Sequence, residues 1–287
     1  MKKNAFIIVG ILVVIGIVGV VISMSGGGTG GDTITQTAVE KPLKKPLNIS
    51  IYLDLSNRLA QATTPSQAER DIAIVGKLAS IIKDRAIKQR ILPCQDRIKV
   101  FFYPAPNDPQ VALLSEQLEL DLSKTEMKQK KVRLMAFEQE FARSLKQIYQ
   151  STLQAQNWVG SDIWGFFNKA VDTYCIRPDY RNILVVLTDG YLYHMNNLQQ
   201  EGTAFSYITN NTLANPQATL LNGRNKPLEN IEVYFLEVSP TRAQLEPRME
   251  QVLNDWLHSM GVQKCYVGET DLPANTYLIL ERLLEMQ

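Results

Sequence analysis

The chain has 287 residues, 45% of them hydrophobic, with a formal net charge of +1 and three cysteines. A charge so near balance, with no basic stripe interleaved with aromatics, argues against a nucleic-acid partner. Cys94, Cys175 and Cys265 are too few, and odd in number, for a disulfide scaffold.

The first element follows Met1-Lys2-Lys3-Asn4: an apolar run from Ala5 to Met24 in which Ser23 is the only polar residue. About 20 residues at 1.5 Å each can cross a hydrocarbon core of roughly 30 Å. Two lysines precede the run and no basic residue follows until Lys41. The positive-inside rule then puts the N-terminus in the cytoplasm and the rest outside it, in a periplasm where the cell has two membranes. A cleaved signal peptide is the rival, because Ser23-Met24-Ser25 is a small-x-small triplet; the length of the run favours an uncleaved anchor. Residues 25–46, opening with Gly26-Gly27-Gly28-Thr29-Gly30-Gly31, read as a linker without apolar period. Residues 47–287 are of a length for one α/β domain.

Within that domain Leu47–Leu53 is a buried-strand pattern ending at Asp54, and Ser66–Gln89 has helical apolar spacing. Arg97–Tyr103 reads as a strand, 104–109 as turn, and Glu116–Leu122 as a half-exposed strand. Two strands joined without a helix predict an antiparallel pair. Thr125–Gln156 is the longest helical pattern, with room for one break, and Asp162–Cys175 is another helix. Asn182–Leu187 is a buried strand ending in Thr188-Asp189-Gly190, and a polar insertion spans Tyr191–Asn230. Strand Ile231–Val238, helix Arg242–Met260, strand Gln263–Val267 and helix Asn275–Glu285 close the chain. The alternation predicts a doubly wound α/β fold: a mainly parallel six-stranded sheet with one antiparallel edge strand, preceded by a single transmembrane helix. If one disulfide forms, the pair is Cys94–Cys175, each just before a strand flanking the first; three free thiols packed as small hydrophobes fit equally well.

Three oxygen-rich stretches fall where strands end or a helix begins: Asp54-Leu55-Ser56-Asn57-Arg58, Gly160-Ser161-Asp162-Ile163 and Thr188-Asp189-Gly190. In an open α/β sheet such loops share the rim where ligands bind. Together with the element order, they make residues 47–287 resemble the von Willebrand factor type A (vWA) family and its metal-ion-dependent adhesion site. The resemblance implies a Mg²⁺ site in which Ser56 and Ser161 give hydroxyl oxygens and Asp54 and Asp189 bind directly or through water. An open coordination position would accept a carboxylate from a partner protein. The family has a serine where this chain has Arg58. Turned inward, Arg58 would take the cation's place by pairing with Asp54 or Asp189; turned outward, it would clamp a partner's carboxylate. Asp162, Trp164 and Tyr191 are the other candidate partner contacts, since Trp and Tyr favour interface hot spots.

The leading expectation is therefore a membrane-tethered protein-binding adaptor, metal-dependent through a degenerate adhesion site. A metal-free envelope scaffold is the alternative. A metal-dependent hydrolase is a weaker third, because no phosphate-cradling glycine loop, Ser-His-Asp set or separate general base is present. Each motif alone also has a plain structural use, as a turn or a helix cap.

Overall fold

The computed structural model describes residues 45–156, 158, 160–269 and 273–285. The expected anchor and nearly all of the linker lie outside them. No helix among the described residues is long and apolar enough to cross a membrane.

In chain order the elements are β1 (Leu47–Leu53), a 3-10 turn (Asn57–Ala60), α1 (Gln67–Lys88), β2 (Arg97–Phe101), α2 (Pro109–Glu116), β3 (Glu119–Asp121) and α3 (Met127–Ala155). Then come β4 (Gly160–Ser161), α4 (Ile163–Lys169), α5 (Val171–Cys175), β5 (Arg181–Leu187), β6 (Tyr193–His194), β7 (Gln200–Glu201), β8 (Ala204–Phe205), α6 (Asn210–Ala214) and β9 (Thr219–Leu220). The chain closes with β10 (Ile231–Leu236), a 3-10 turn (Ala243–Leu245), α7 (Glu246–Ser259), β11 (Lys264–Gly268) and α8 (Pro273–Glu285).

The fold is α/β, with a six-stranded sheet in the order β11-β10-β5-β1-β2-β3. Every pairing is parallel except β2–β3, which is antiparallel. Alternation along the central strands feeds two cores. Ile49, Ile51 and Leu53 of β1 and Ile183, Val185 and Leu187 of β5 pack with α1, α3 and α8; Tyr52, Leu184 and Val186 pack with α4 and α7 on the opposite face. Both faces are covered, which is why these strands read as unbroken apolar runs.

The structure differs from the sequence reading in two places and closes two alternatives it left open. The connection expected to be plain turn contains α2: Asp108 accepts the Gln110 and Val111 N–H groups and Pro109 takes the first turn, where a missing N–H costs nothing. The long helix, α3, is continuous without the break its pattern left room for, as a 29-residue stretch without Gly or Pro allows. The single helix expected over 162–175 is two short ones meeting at Ala170. All three cysteines are free thiols, one of the two readings the sequence left open; Cys94 and Cys175 belong to cores on opposite faces of the sheet, so a bridge between them has no path.

Candidate functional site

The order of strands changes direction at β1. From β1 the chain builds outward through β2 and β3, then returns to β5 on the other side and builds outward through β10 and β11. Ligands in open α/β sheets sit outside the strand carboxyl ends at such a reversal. Leu53 and Leu187 are register partners across β1 and β5, and Asp54 donates its backbone N–H to the Leu187 carbonyl at 3.1 Å. Asp54 and the Thr188-Asp189-Gly190 loop therefore leave the sheet side by side.

Asp54 is fully buried, and both its carboxylate oxygens are engaged. Oδ1 accepts the Ser56 N–H and Oδ2 the Thr188 hydroxyl, each at 2.8 Å. Ser56 caps the first 3-10 turn with Oγ, accepting the Arg58 N–H at 3.5 Å. Arg58 turns inward and is 2% exposed. Its main partner is neither aspartate named from the sequence but Asp71 of α1: Nη2 lies 2.5 Å and Nη1 3.4 Å from the two carboxylate oxygens. Its Nε donates to the Asp54 carbonyl at 2.9 Å and lies 3.8 Å from Asp54 Oδ2. Tyr149 of α3 and Gln67 of α1 complete Asp71's hydrogen bonds, at 2.7 and 3.1 Å.

The Asp189 carboxylate makes no ion pair among the described residues and accepts the Tyr191 N–H at 3.1 Å, while the Asp189 backbone carbonyl accepts the Ser239 N–H at 3.0 Å. Burial, then the nearby Asp54 charge, push its carboxyl up to about 7, against the pull of Arg58. Arg58 is held charged: burial alone would lower it, and Asp71 and Asp54 more than offset that.

The remaining sequence candidates separate. Ser161 is buried in β4, paired with Tyr193 of β6 and close to the Tyr52 phenol, which donates to the Tyr103 carbonyl at 2.9 Å. Asp162 caps α4, accepting the Gly165 N–H at 2.8 Å and the Asn197 side-chain amide at 2.7 Å. Trp164 is not a rim contact: it is buried, and its indole N–H donates to the Leu221 carbonyl at 2.8 Å, an acceptor it shares with Trp256. Tyr191 is half-buried, its hydroxyl between Asn210 at 2.5 Å and Thr241 at 3.1 Å. A cleft of about 320 Å³ opens on this rim, lined by Ser56, Asn57, Asp189, Tyr191, Tyr193 and Asn210 among others. Thus Ser56 and Asp189 face one cleft with Asp54 behind them, and Ser161 does not line it. Sequence reasoning named Thr188 in its motif without a role of its own, and missed Asp71 and Tyr149. Asp71 carried a signal: a carboxylate on the apolar stripe of α1, beside Ile74, Val75 and Leu78, needs a buried partner.

The donor set suits a hard cation in kind, with carboxylate and hydroxyl oxygens and no soft ligand. It suits one in charge as well. Arg58 pairs chiefly with Asp71 and lies 3.8 Å from Asp54, so Asp54 and Asp189 carry a surplus of negative charge beside the cleft once Asp189 has lost its proton.

Gly190 fixes the Asp189 loop. Its φ is +92°, and a Cβ there would meet Met249 Sδ at 2.3 Å and Val238 Cγ1 at 2.9 Å. Gly190→Ala is expected to cost more than about 1 kcal/mol, read as a lowered urea midpoint at unchanged slope; an unchanged midpoint would refute the close packing.

No family model matches the chain, and no curated protein matches it. A solved structure, the pilus adhesin SpaC from Lactobacillus rhamnosus GG, is similar over 83% of this chain at 11% identity and a TM-score of 0.39. The matched region spans 30% of that adhesin's length.

Proposed function

We propose that this chain is a membrane-tethered adaptor with a vWA-like domain outside the cytoplasm, capturing a protein partner at the rim cleft. The observation that carries this reading is the arrangement of charge. Two carboxylates, Asp54 and Asp189, stand side by side at the topological reversal, next to a cleft, and the guanidinium nearest them is matched by a third carboxylate, Asp71. Asp54, Ser56 and Asp189 would hold Mg²⁺, and Ser161 would join them if its hydroxyl reaches the cleft. The bound cation would offer its open position to an acidic side chain of the partner. Tyr191 and Arg58 then have separate roles: Tyr191 borders the cleft, and Arg58 braces the loop from inside.

A metal-free scaffold is favoured by one observation. Both oxygens of Asp54 are already satisfied by Ser56 and Thr188, and Arg58 lies against it. Titration calorimetry of the full chain with Mg²⁺ separates the two. Under the adaptor reading the parent binds Mg²⁺ and Asp189→Ala abolishes the heat. Heat absent from the parent and present only in Arg58→Ser with Asp71→Asn would establish the scaffold. Crosslinking in native membranes, with Mg²⁺ and with chelator, then identifies the partner and whether its capture follows the metal.

A further inference from the structure

The end of the sheet opposite the rim carries a surface that the rim reading leaves unused. The last turn of α1, the loop after it and the first turns of α3 meet there, at the N-terminal ends of β1 and β2. Arg85 donates to the Lys45 carbonyl at 2.7 Å, and the buried Lys130 ammonium donates to the Leu92 and Cys94 carbonyls at 2.7 and 2.8 Å. The Lys130 bonds hold residues 92–94 against the first turn of α3, and the Arg85 bond ties Lys45 to the last turn of α1. Lys88, Arg90, Lys128 and Lys131 are all exposed around that junction, and exposed Lys124 stands just before α3. The exposed carboxylates on the same segments, Asp84 and Glu126, are fewer. Asp96 and Asp121 are taken up by Arg85 and Arg177. Among the cations stand three large apolar side chains open to solvent: Ile87, Leu92 and Met127, 46%, 49% and 66% exposed.

Basic side chains interleaved with exposed apolar ones form a surface suited to anionic lipid. Lys and Arg side chains are drawn to anionic headgroups, and apolar side chains add to this by entering the interface. The chain enters the domain at this same end, at Lys45, about 20 residues after the apolar run of residues 5–24. A flexible linker of that length, as its composition predicts, would reach about 25 Å, so contacts too weak to recruit a free protein would suffice for a tethered one.

We infer that this face rests on anionic phospholipid headgroups of the membrane carrying the chain. The cleft at Ser56 and Asp189 then points away from the lipid, towards an incoming partner. The inference rests on the membrane reading above, and the test keeps the two apart.

Full-length protein is mixed with phosphatidylcholine vesicles, with and without phosphatidylglycerol, at low and high salt, and its lysines are footprinted with an amine-reactive reagent read by mass spectrometry. Labelling of Lys88, Lys124, Lys128 and Lys131 is expected to fall about threefold or more on the anionic vesicles and to recover in high salt, when screening shortens the reach of the charges. Lys146 and Lys226, exposed elsewhere, are expected not to change. Lys128→Glu with Lys131→Glu, both on the surface, is expected to remove the protection of Lys88. Equal labelling on both lipids overturns the inference. If the chain stays on vesicles in high salt yet labels equally, the tether stands and this face falls. If it is protected at low salt but leaves the vesicles at high salt, the face stands and the tether falls.

Discussion

Arg58→Met is expected to lower the unfolding free energy by about 3–5 kcal/mol, the cost of breaking a buried ion pair from one side. The size follows from what is left behind. Asp71 is fully buried, and its strongest partner is the Arg58 guanidinium at 2.5 Å. Burial already pushes the Asp71 carboxyl above its ordinary value, with Arg58, Tyr149 and Gln67 pulling back. Without Arg58 the carboxylate keeps only two neutral donors, and the Asp54 carbonyl loses the Nε hydrogen bond that holds the loop after β1. Methionine fills part of the volume, so the loss reads mainly as charge and hydrogen bonding. Asp71→Asn on the Arg58→Met background removes the stranded charge and is expected to recover about half of the loss. Urea unfolding of the two single variants and the double variant measures the coupling. A loss below about 1 kcal/mol in Arg58→Met would sink the claim that this pair braces the rim.

That pair also marks the limit of what the residues disclose on their own. The sheet is legible because β1 and β5 are buried on both faces, so that LNISIYL and NILVVL stand out as apolar runs ended by oxygen-bearing loops. Parallel order follows from helices long enough to cross between strands. Asp54, Ser56 and Asp189 are legible as neighbours because strand ends on one rim converge whatever the details of packing. The direction of Arg58 is not, because it is decided by a carboxylate thirteen residues onward and a tyrosine on a third element, α3. Trp164 is misplaced for a related reason. The insertion folds over α4 and brings the Leu221 carbonyl to the indole, and its own strands, two residues each, are too short to carry any period. At α2 the signals were present but ambiguous, since Asp and Pro open turns and helices alike.

In chelator, stability is expected to contain a term from Asp189 that weakens as pH rises. Its carboxyl sits near about 7 in the folded chain, raised by burial and then by Asp54, against an ordinary value of 3.8. The contribution is therefore fully present below the unfolded value. Between about pH 4 and 7 the unfolded chain releases this proton while the folded chain keeps it, and the contribution is lost as pH rises through the folded value. At 1.36 kcal/mol per pH unit the loss amounts to at most about 4 kcal/mol. Paired carboxylates elsewhere work in the opposite direction at acid pH; Glu232, held down to about 2 by hydrogen bonds from Arg181 and Lys264 that outweigh its burial, is the clearest case. The quantity to read is accordingly the difference between parent and Asp189→Asn, which keeps the acceptor for the Tyr191 N–H and removes the charge. The two should agree within about 0.5 kcal/mol at pH 4, and Asn should be the more stable by about 2–4 kcal/mol at pH 8. A flat difference across that range would mean that Asp189 is solvated in the folded chain. Adding Mg²⁺ at pH 8 then tests the adaptor reading from the stability side. A cation held by Asp54 and Asp189 binds the folded chain alone, so it should restore the parent and leave Asp189→Asn unmoved. If the parent stays destabilised at pH 8 with metal present, the carboxylate pair retains its strain for a reason other than a cation, and the metal-free scaffold becomes the reading to pursue.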